Sequence, residues 1–275
     1  TRHHTGWLLL SMSLLLFSLV RGLSSFIRVN KCLAAQVSRR EADRLCQAGR
    51  VMINGAVASP GDRVLPGDVL TLDGAPVALA ADEAHSYVKY WKPRGIECTT
   101  SDAPGTLASA VLDRLPTRCH AVGRLDKDSE GLLLLTSDGR VTNALLKSKQ
   151  RKEKVYEVTT ARGVANAHLQ QLRRGIMLTT PTRGDKTLTA LTLPCEVTRL
   201  GSASFQIVLT EGRNQQIRRM CKALSLGEVK RLHRVSVAGI NLDGLEGPGE
   251  WAALDEREQA LIEAQLDDVE DVEIE

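Results

Sequence analysis

The sequence predicts an α+β protein in which a small N-terminal domain precedes a larger second domain. Three observations support this prediction. The 275 residues are enough for one medium-sized domain and one small one. An alanine-rich stretch, residues 76–85, has the composition of a linker. On both sides of it, segments with the alternating pattern of strands are interspersed with segments that have helical periodicity.

The small domain, residues 27–75, is predicted to start with a helix-like segment from Ile27 to Ala35. Ser38–Glu41 forms a capping box, in which the serine caps the helix and the glutamate reaches back to it. The second helix therefore begins here and ends at about Ala48, before Gly49. A small sheet follows, with strands and turns in the order Val51–Ile53, Asn54-Gly55, Val57, Pro60–Asp62, Pro66–Asp68 and Val69–Leu72.

The second domain, residues 86–260, is predicted from six segments whose patterns alternate between strand and helix. In chain order they are the strand Tyr87–Trp91, the strand Leu132–Thr136, a helix ending at Leu146, the strand Val155–Thr160, the strand Phe205–Thr210 and the helix Asn214–Leu224. Residues 261–275 are assigned as an acidic tail.

Charge is unevenly distributed along the chain. The formal net charge is +3, but residues 255–275 hold ten acidic residues and one arginine. Residues 1–254 therefore hold 35 basic and 23 acidic residues, a net charge of +12. A basic body of this kind indicates a polyanionic partner.

The first 26 residues are assigned as a leader and left out of the fold prediction. Residues 7–20 are apolar with an arginine on either side, and no acidic residue occurs before Glu41. The run is short for a membrane span but fits a signal or transit segment. We expect an organelle, plastid or mitochondrion, if the leader targets the protein, and the cytoplasm otherwise. No stable membrane association of the mature domains is expected.

The six cysteines indicate neither a disulfide framework nor a zinc site. None forms a Cys-x-x-Cys pair, and no histidine lies at zinc-ligand spacing from them. The sequence therefore predicts reduced thiols and no bound metal.

The segment Gly123–Thr136 (GRLDKDSEGLLLLT) is the most informative part of the sequence. Arg124 and Asp126 lie in a polar turn that leads directly into an apolar strand. A carboxylate held beside a rigid element can serve as a nucleophile. A bare Arg-x-Asp is more often a surface ion pair, so the specificity comes from the whole string.

This string resembles the signature of the RsuA family of RNA pseudouridine synthases, in its RluB and RluF branch. Other segments resemble the family in the same order, namely Lys92–Gly95, Lys154–Tyr156, Gly212–Met220, Leu232–Val235 and Gly249–Trp251. One departure is Gln215, where the family usually has a basic residue. Residues 27–75 resemble the small αL-type RNA-binding domain of the ribosomal S-four type. The resemblance implies a catalytic domain built on a mixed, mostly antiparallel sheet flanked by helices.

The resemblance also assigns catalytic roles. Pseudouridine formation detaches uracil from ribose, turns the ring and rejoins it through carbon 5, so no cofactor is required. The family's catalytic aspartate matches Asp126, its partner arginine matches Arg218, and its active-site tyrosine matches Tyr156. A planar guanidinium can hold a carboxylate in fixed geometry. The tyrosine ring would stack on the uracil.

Two sets of basic residues are assigned to RNA binding. In the catalytic domain, Arg124 would contact RNA or fill the gap left by the extruded base, and Lys92 and Lys154 would contact the backbone. In the small domain the arginines would meet phosphates without reading bases. Those arginines are Arg39, Arg40, Arg44 and Arg50.

The leading interpretation is an isomerase that converts a uridine to pseudouridine in structured RNA, with large-subunit ribosomal RNA as the first candidate and a monomer as the expected state. A non-catalytic RNA-binding assembly factor is the alternative, although such a protein has no need for Asp126. A haloacid-dehalogenase-like phosphatase is a third reading, because Asp126 and Asp128 form an Asp-x-Asp pair. In that group, however, the pair follows an apolar strand and binds magnesium.

Overall fold

The computed structural model describes residues 27–34, 36–78, 85–101, 103–146, 152–181 and 186–270. The chain divides into two compact units, Thr1–Ala84 and His85–Glu275. The predicted leader, residues 1–26, and the last five residues of the predicted tail lie outside the described residues. Across the described ranges, no helix combines the length and apolar character needed to cross a bilayer.

The first unit is a small α+β domain with one apolar core. Its elements are β1 (Ile27–Arg28), α1 (Val29–Cys32), α2 (Arg39–Gln47), β2 (Val51–Ile53), β3 (Ala56–Val57), β4 (Arg63–Val64), β5 (Leu70–Leu72) and β6 (Ala75–Pro76). Four strands pair in the antiparallel order β3-β2-β5-β6, and β1 pairs with β4. Val29, Leu33, Ala42, Val51 and Leu70 fill the core beneath this sheet.

The turn and the helix cap of this unit confirm the local predictions. Asn54 and Gly55 adopt φ values of 52° and 81°, the left-handed pair that a two-residue hairpin turn requires. The Ser38 hydroxyl accepts the Glu41 amide at 3.2 Å and caps α2. The second half of the capping box is not formed, because the Glu41 carboxylate accepts a hydrogen bond from Arg44 instead.

Both ends of the small domain differ from the prediction. Ile27 and Arg28 pair as a strand with Val64 and Arg63, and only a single helical turn follows, so the long first helix is wrong. At the other end β6 pairs with β5, and Val77 is buried in the same core. The predicted linker, residues 76–85, therefore begins inside the folded sheet.

The second unit is built on one large mixed sheet. Its strands are β7 (Tyr87–Lys92), β8 (His120–Ala121), β9 (Glu130–Thr136), β10 (Lys154–Thr160), β13 (Glu196–Arg199), β14 (Ser204–Leu209), β15 (Val229–Val237), β16 (Ile240–Asn241) and β17 (Trp251–Ala253). Their order is β13-β14-β10-β15-β9-β7-β17, with β8 on β9 and β16 on β15. Among these pairings only β9 with β15 is parallel. The expected mixed, mostly antiparallel sheet is thus confirmed.

Helices and a separate hairpin complete the unit. The helices are α3 (Leu107–Ala110), a 3₁₀ turn (Leu112–Arg114), α4 (Gly139–Leu146), α5 (Asn166–Arg174), α6 (Gln216–Ala223) and α7 (Glu256–Glu270). The hairpin consists of β11 (Met177–Pro181) and β12 (Thr187–Leu191). Ile217, Met220 and Cys221 anchor α6 on the apolar cluster that includes Phe205 and Ile207 of β14. This anchoring fixes the helix that carries Arg218.

The acidic tail predicted from residue 261 is wrong over most of its described length. α7 continues to Glu270, and Ile262 and Leu266 are buried in the cluster that includes Leu132 and Leu134 of β9. Their spacing of four residues places both on one helix face. Glu263, between these two buried residues, is exposed, so this part of the segment is one face of a packed helix.

The parallel contact between β9 and β15 depends on Gly131. Its φ is 108°, and a Cβ atom there would lie 2.2 Å from the carbonyl oxygen of Arg234. Only glycine accepts both this backbone conformation and this close approach. The contact brings the start of β9, and hence the loop before it, against the middle of β15.

Candidate active site

The loop before β9 carries Asp126 and is held from below by Lys92. The Lys92 ammonium donates hydrogen bonds to the carbonyl oxygens of Ser129 at 2.8 Å, Pro93 at 2.9 Å and Lys127 at 3.4 Å. Burial lowers the pKa of Lys92, and the nearby Cys98, Asp126 and Asp128 partly oppose that shift. Lys92 is fully buried. Its predicted contact with the RNA backbone is therefore wrong, and its role is to fix the loop.

Arg218 of α6 reaches the same loop, as the resemblance implied. Its Nε atom lies 3.9 Å from Oδ2 of Asp126. The rest of the guanidinium is fixed by carbonyl oxygens, with Nη1 donating to Val229 at 3.2 Å and Nη2 to Asp128 at 3.1 Å. The Asp126 side chain is 37% exposed. The pair is thus partly open to solvent.

Tyr156 lies on β10 where the pairing with β15 is irregular. The register shifts between Val155 and Tyr156, and Tyr156 stands opposite Arg234 on β15 and Ile207 on β14. Its side chain is half-buried and packs against the apolar cluster beneath α6. One side of the Tyr156 ring is therefore fixed by packing against this cluster.

Asp126 and Tyr156 line one cleft of about 910 Å³. Arg124 and Lys154, two of the residues predicted to contact substrate, also line it. The other lining residues used below are Ser129, Glu211, Arg213, Asn214, Gln215, Gln216 and Arg234. A cleft of this size holds a nucleoside with its phosphate, and most of its charged lining residues are basic.

Arg124 and Lys154 approach the cleft differently. Arg124 is exposed, and no ion pair joins it to Asp126 or Asp128 within the described part of the chain. Lys154 is half-buried at the start of β10, and its ammonium donates to the carbonyl oxygen of Lys152 at 3.0 Å. Burial, with the nearby charge of Arg234, lowers the pKa of Lys154. Both side chains border the cleft, and their contact with RNA stays a prediction.

The sequence reasoning assigned no role to Arg234, although it quoted the motif around it. Arg234 is 4% exposed, and its Nε donates to the carbonyl oxygen of Leu132 at 2.8 Å. It lines the cleft beside Tyr156. Two basic residues at positions 231 and 234 of one strand were the available signal, but only the sheet register shows which of them borders the cleft.

A second missed group shapes the loop before α6. The Glu211 carboxylate accepts hydrogen bonds from Leu193 N at 3.0 Å, from Gln216 Nε2 at 2.8 Å and from Arg213 Nε at 3.1 Å. Arg213 also donates to the carbonyl oxygens of Ala190 and Leu191. Gln215 takes a left-handed φ of 49°. These contacts fix the cleft wall formed by the loop.

The four arginines predicted to bind phosphate in the small domain are all exposed. Arg39 and Arg40 occupy the first turn of α2. Arg44 pairs with Glu41 at 3.1 Å. Arg50 forms a bidentate salt bridge with Asp73, in which Nε lies 2.7 Å from Oδ1 and Nη2 donates to Oδ2. Arg39 and Arg40 are therefore the better phosphate candidates, because a carboxylate already offsets the charge of the other two.

The order of elements around Asp126 does not match the phosphatase reading. The apolar strand next to the pair in the sequence, β9, starts at Glu130 and so follows the two aspartates. The preceding strand, β8, ends at Ala121. No group of three metal-binding side chains occurs among the residues the structure describes.

Comparison with known proteins places the chain in a family. The family model described as RNA pseudouridylate synthase matches residues 86–223, and the S4 domain model matches residues 33–70. The chain is 34% identical over 236 residues to the dual-specificity RNA pseudouridine synthase RluF of Escherichia coli K12, covering 85% of this chain and 77% of that protein.

Two further comparisons agree. The chain is 35% identical over 235 residues to ribosomal large subunit pseudouridine synthase B of Escherichia coli K12, covering 81% of this chain and 76% of that protein. A solved structure described as a pseudouridylate synthase is similar with a TM-score of 0.59 and 30% identity, covering 87% of this chain and 99% of that one. Given these matches and the cleft between Asp126 and Tyr156, the chain belongs to the RNA pseudouridine synthase family, with an N-terminal S4 domain.

Proposed function

We propose that this enzyme converts a specific uridine of large-subunit ribosomal RNA to pseudouridine, with Asp126 as the nucleophile. The observation that carries the proposal is the position of Asp126, which lines the same cleft as Tyr156 while its carboxylate lies 3.9 Å from Arg218. The names of the two similar Escherichia coli enzymes support RNA as the substrate, and the large-subunit enzyme supports the ribosomal target.

The reaction proposed for the cleft conserves every atom of the nucleotide. The bond between C1′ of ribose and N1 of uracil breaks, the ring turns, and C1′ forms a bond to C5. A proton leaves C5 and a proton is gained at N1. Asp126 attacks the substrate and is released when the new bond forms, which is covalent catalysis that divides one difficult step into two. The chemistry needs neither a redox change nor a metal ion.

Three neighbouring residues would orient Asp126 and the target uridine. Arg218 holds a positive charge beside the Asp126 carboxylate and orients it toward the substrate. Tyr156 offers a fixed ring against which uracil can stack, and its hydroxyl would then act on the proton that leaves C5. Arg124 stands at the exposed edge of the cleft, where it would occupy the place of the base that leaves the RNA stack. We propose that the enzyme acts as a monomer.

The test is to map pseudouridine in large-subunit ribosomal RNA by carbodiimide-blocked primer extension. Wild-type protein should create one new stop, and Asp126→Asn should create none while binding the RNA with nearly the same affinity. Asp128→Asn is the matched control, because it removes the same charge from an exposed position in the same loop. The proposal fails if Asp126→Asn turns over or if the wild type modifies no uridine.

A non-catalytic assembly role is the competing function. It predicts that wild type and Asp126→Asn support the same level of large-subunit assembly and that neither changes the RNA. The same primer-extension experiment separates the two functions.

A further inference from the structure

A second recess adjoins the catalytic cleft at Arg218. It has a volume of about 420 Å³ and is lined by Arg162, Arg218, Lys222, Ser225 and Gly227–Val229. We call it the basic groove. Arg218 borders this groove, and its Nε atom is also 3.9 Å from Asp126, which borders the cleft. The two recesses are therefore neighbours, with the contact between Arg218 and Asp126 joining their walls.

The basic groove is built by two loops that are hydrogen-bonded to each other. Arg162 donates from its backbone to Leu226 O at 3.1 Å and from Nη1 to Ser225 O at 3.1 Å. Ala161 N donates to Glu228 O at 2.8 Å. Gly227 has a φ of 77°, and a Cβ there would lie 3.2 Å from that of Ala161. The position of the Arg162 side chain is thus fixed by backbone contacts.

Positive charge dominates the groove. Arg162, Arg218 and Lys222 line it, and its one carboxylate, Glu228, pairs with Lys230 at 2.5 Å. The hydrogen bond and charge of Lys230 lower the pKa of Glu228, and Arg218 and Arg94 add to the shift. The groove lining therefore carries three cations and one carboxylate, and Lys230 already offsets the charge of that carboxylate. Lys222 has no hydrogen bond or ion pair within the described ranges.

The donors available for a ligand are those of Lys222 and Arg162. The guanidinium of Arg218 already donates to Val229 O, Asp128 O and the Ser129 hydroxyl, so it contributes charge and few free N–H groups. Arg162 uses Nη1 for Ser225 O and keeps its other side-chain donors. A single anion with several oxygens, such as a phosphodiester, fits two cations of this kind.

We propose that the basic groove binds a backbone phosphate of the RNA strand beside the target uridine. The inference rests on the proposed function, because it takes the uridine to occupy the cleft at Asp126. An RNA strand that continues past a uridine held at Asp126 would reach Arg218 first and the basic groove next. A phosphate contact there reads no base, but it fixes the register of the strand and so decides which nucleotide faces Asp126.

The test measures how RNA binding depends on salt. Each phosphate contact contributes roughly 0.7–0.9 to the slope of log affinity against log salt concentration. In an Asp126→Asn background, which keeps the RNA unchanged, a labelled large-subunit ribosomal RNA transcript is titrated with the protein at several salt concentrations. Arg162→Ala with Lys222→Ala should lower the slope by about 0.8, the value for the loss of one phosphate contact. Arg257→Ala, on the exposed side of α7, removes a cation outside the groove and should leave the slope unchanged.

Two further variants guard against loss of structure. Lys222→Ala alone removes no hydrogen bond or ion pair of the described residues, and it should still lower the slope, by no more than the double variant does. The conservative double variant Arg162→Lys with Lys222→Arg should keep the slope of the parent. A slope equal to that of Arg257→Ala in both alanine variants would overturn the proposal and leave the groove to a different ligand, such as a protein.

The outcomes also separate this proposal from the proposed function. If wild-type protein forms pseudouridine and the alanine variants keep the full slope, the groove proposal alone is wrong. If wild-type protein modifies no uridine while the alanine variants reduce the slope, the groove binds RNA phosphate and the proposed function is wrong.

Discussion

At the scale of single residues, Arg218 has two roles, one in the stability of the fold and one in the chemistry. Its Nε faces Asp126, whereas Nη1 and Nη2 donate to the carbonyl oxygens of Val229 and Asp128. The hydrogen bonds stabilise the fold, since each involves a charged donor. The approach to Asp126 serves the chemistry, because the carboxylate is partly exposed and does not need a buried partner.

Arg218→Ala should therefore abolish turnover and lower the free energy of unfolding by about 1–3 kcal/mol, the range for losing hydrogen bonds from a charged group. Urea denaturation and pseudouridine mapping check the two effects. Arg219→Ala is the matched control on the same helix, since Arg219 contacts Asn214 and Thr179 and not Asp126. Wild-type turnover in Arg218→Ala would reassign Arg218 to phosphate binding alone.

Tyr156 tests whether the cleft needs a ring, a hydroxyl or both. Tyr156→Phe keeps the packing against the apolar cluster and removes only the hydroxyl. We expect RNA binding to be unchanged and product formation to be lost or slowed, because a proton must leave C5. Tyr156→Leu should be worse, since the stacking surface goes as well. Single-turnover rates of both variants measure the difference, and full activity in both would exclude an active-site role.

At the scale of elements, Gly131 decides whether β9 can lie parallel to β15. Gly131→Ala places a Cβ 2.2 Å from the carbonyl oxygen of Arg234 in a backbone region with a φ of 108°. Strain and clash together should cost at least about 3 kcal/mol. Gly139→Ala is the control, because no atom lies within 4 Å of that Cβ. Thermal unfolding of both variants gives the comparison, and equal melting temperatures would contradict the role of Gly131.

Asp138 fixes the start of α4 through an acid-sensitive set of hydrogen bonds. Its carboxylate accepts from the Arg140 amide at 2.9 Å and guanidinium at 2.8 Å, and from the Tyr87 hydroxyl at 3.1 Å. Burial alone would raise the pKa of Asp138, but the hydrogen bonds from Arg140 outweigh it, so the pKa lies below its usual 3.8. A lowered carboxyl pKa stabilises the fold above the unfolded-state pKa, and this stability is lost as the pH falls through the folded-state value.

Asp138→Asn should accordingly lower the free energy of unfolding by about 2 kcal/mol at pH 7, as expected when hydrogen bonds to a charged group are lost. The difference from wild type should shrink below pH 4, where the wild-type carboxylate becomes protonated. Urea unfolding at pH 7 and near pH 3 measures both values. A difference that stays constant across this range would show that the charge of Asp138 contributes nothing.

At the scale of the whole molecule, the two units allow RNA affinity and chemistry to be separated. The apolar clusters of the second unit include no residue before Tyr87. Removal of residues 1–84 should therefore leave a folded catalytic unit. It should also weaken binding to large RNA and lower the salt slope, by about 1.5 if Arg39 and Arg40 each meet one phosphate.

The double variant Arg39→Ala with Arg40→Ala, made in the full chain, removes the same two phosphate contacts without removing the small domain. Because the contacts are made to phosphates, selectivity should suffer through misplacement of the enzyme and not through lost base reading. Filter-binding titrations at several salt concentrations provide the slopes. If neither change alters the slope, the small domain does not contact RNA through α2.

The sequence by itself determined what depends on neighbours along the chain. The turn at Asn54-Gly55, the Ser38 cap, the helix Gly139–Leu146 and the α+β class follow from local geometry, and all are present in the structure. The ordered motifs carry a resemblance to a known family, and that resemblance predicted a pseudouridine synthase and named Asp126 as its candidate nucleophile. These signals are local or ordered along the chain, so no folding was needed to read them.

Only the tertiary structure decided what depends on residues far apart in sequence. Lys92 has the same motif position whether it is exposed or buried, and its burial follows from contacts with Lys127 and Ser129, more than thirty residues away. Arg218 meets Asp128 across 90 positions of the chain. Burial and sheet register are set by such distant partners, and a pattern in one segment carries no information about the surface that will cover it.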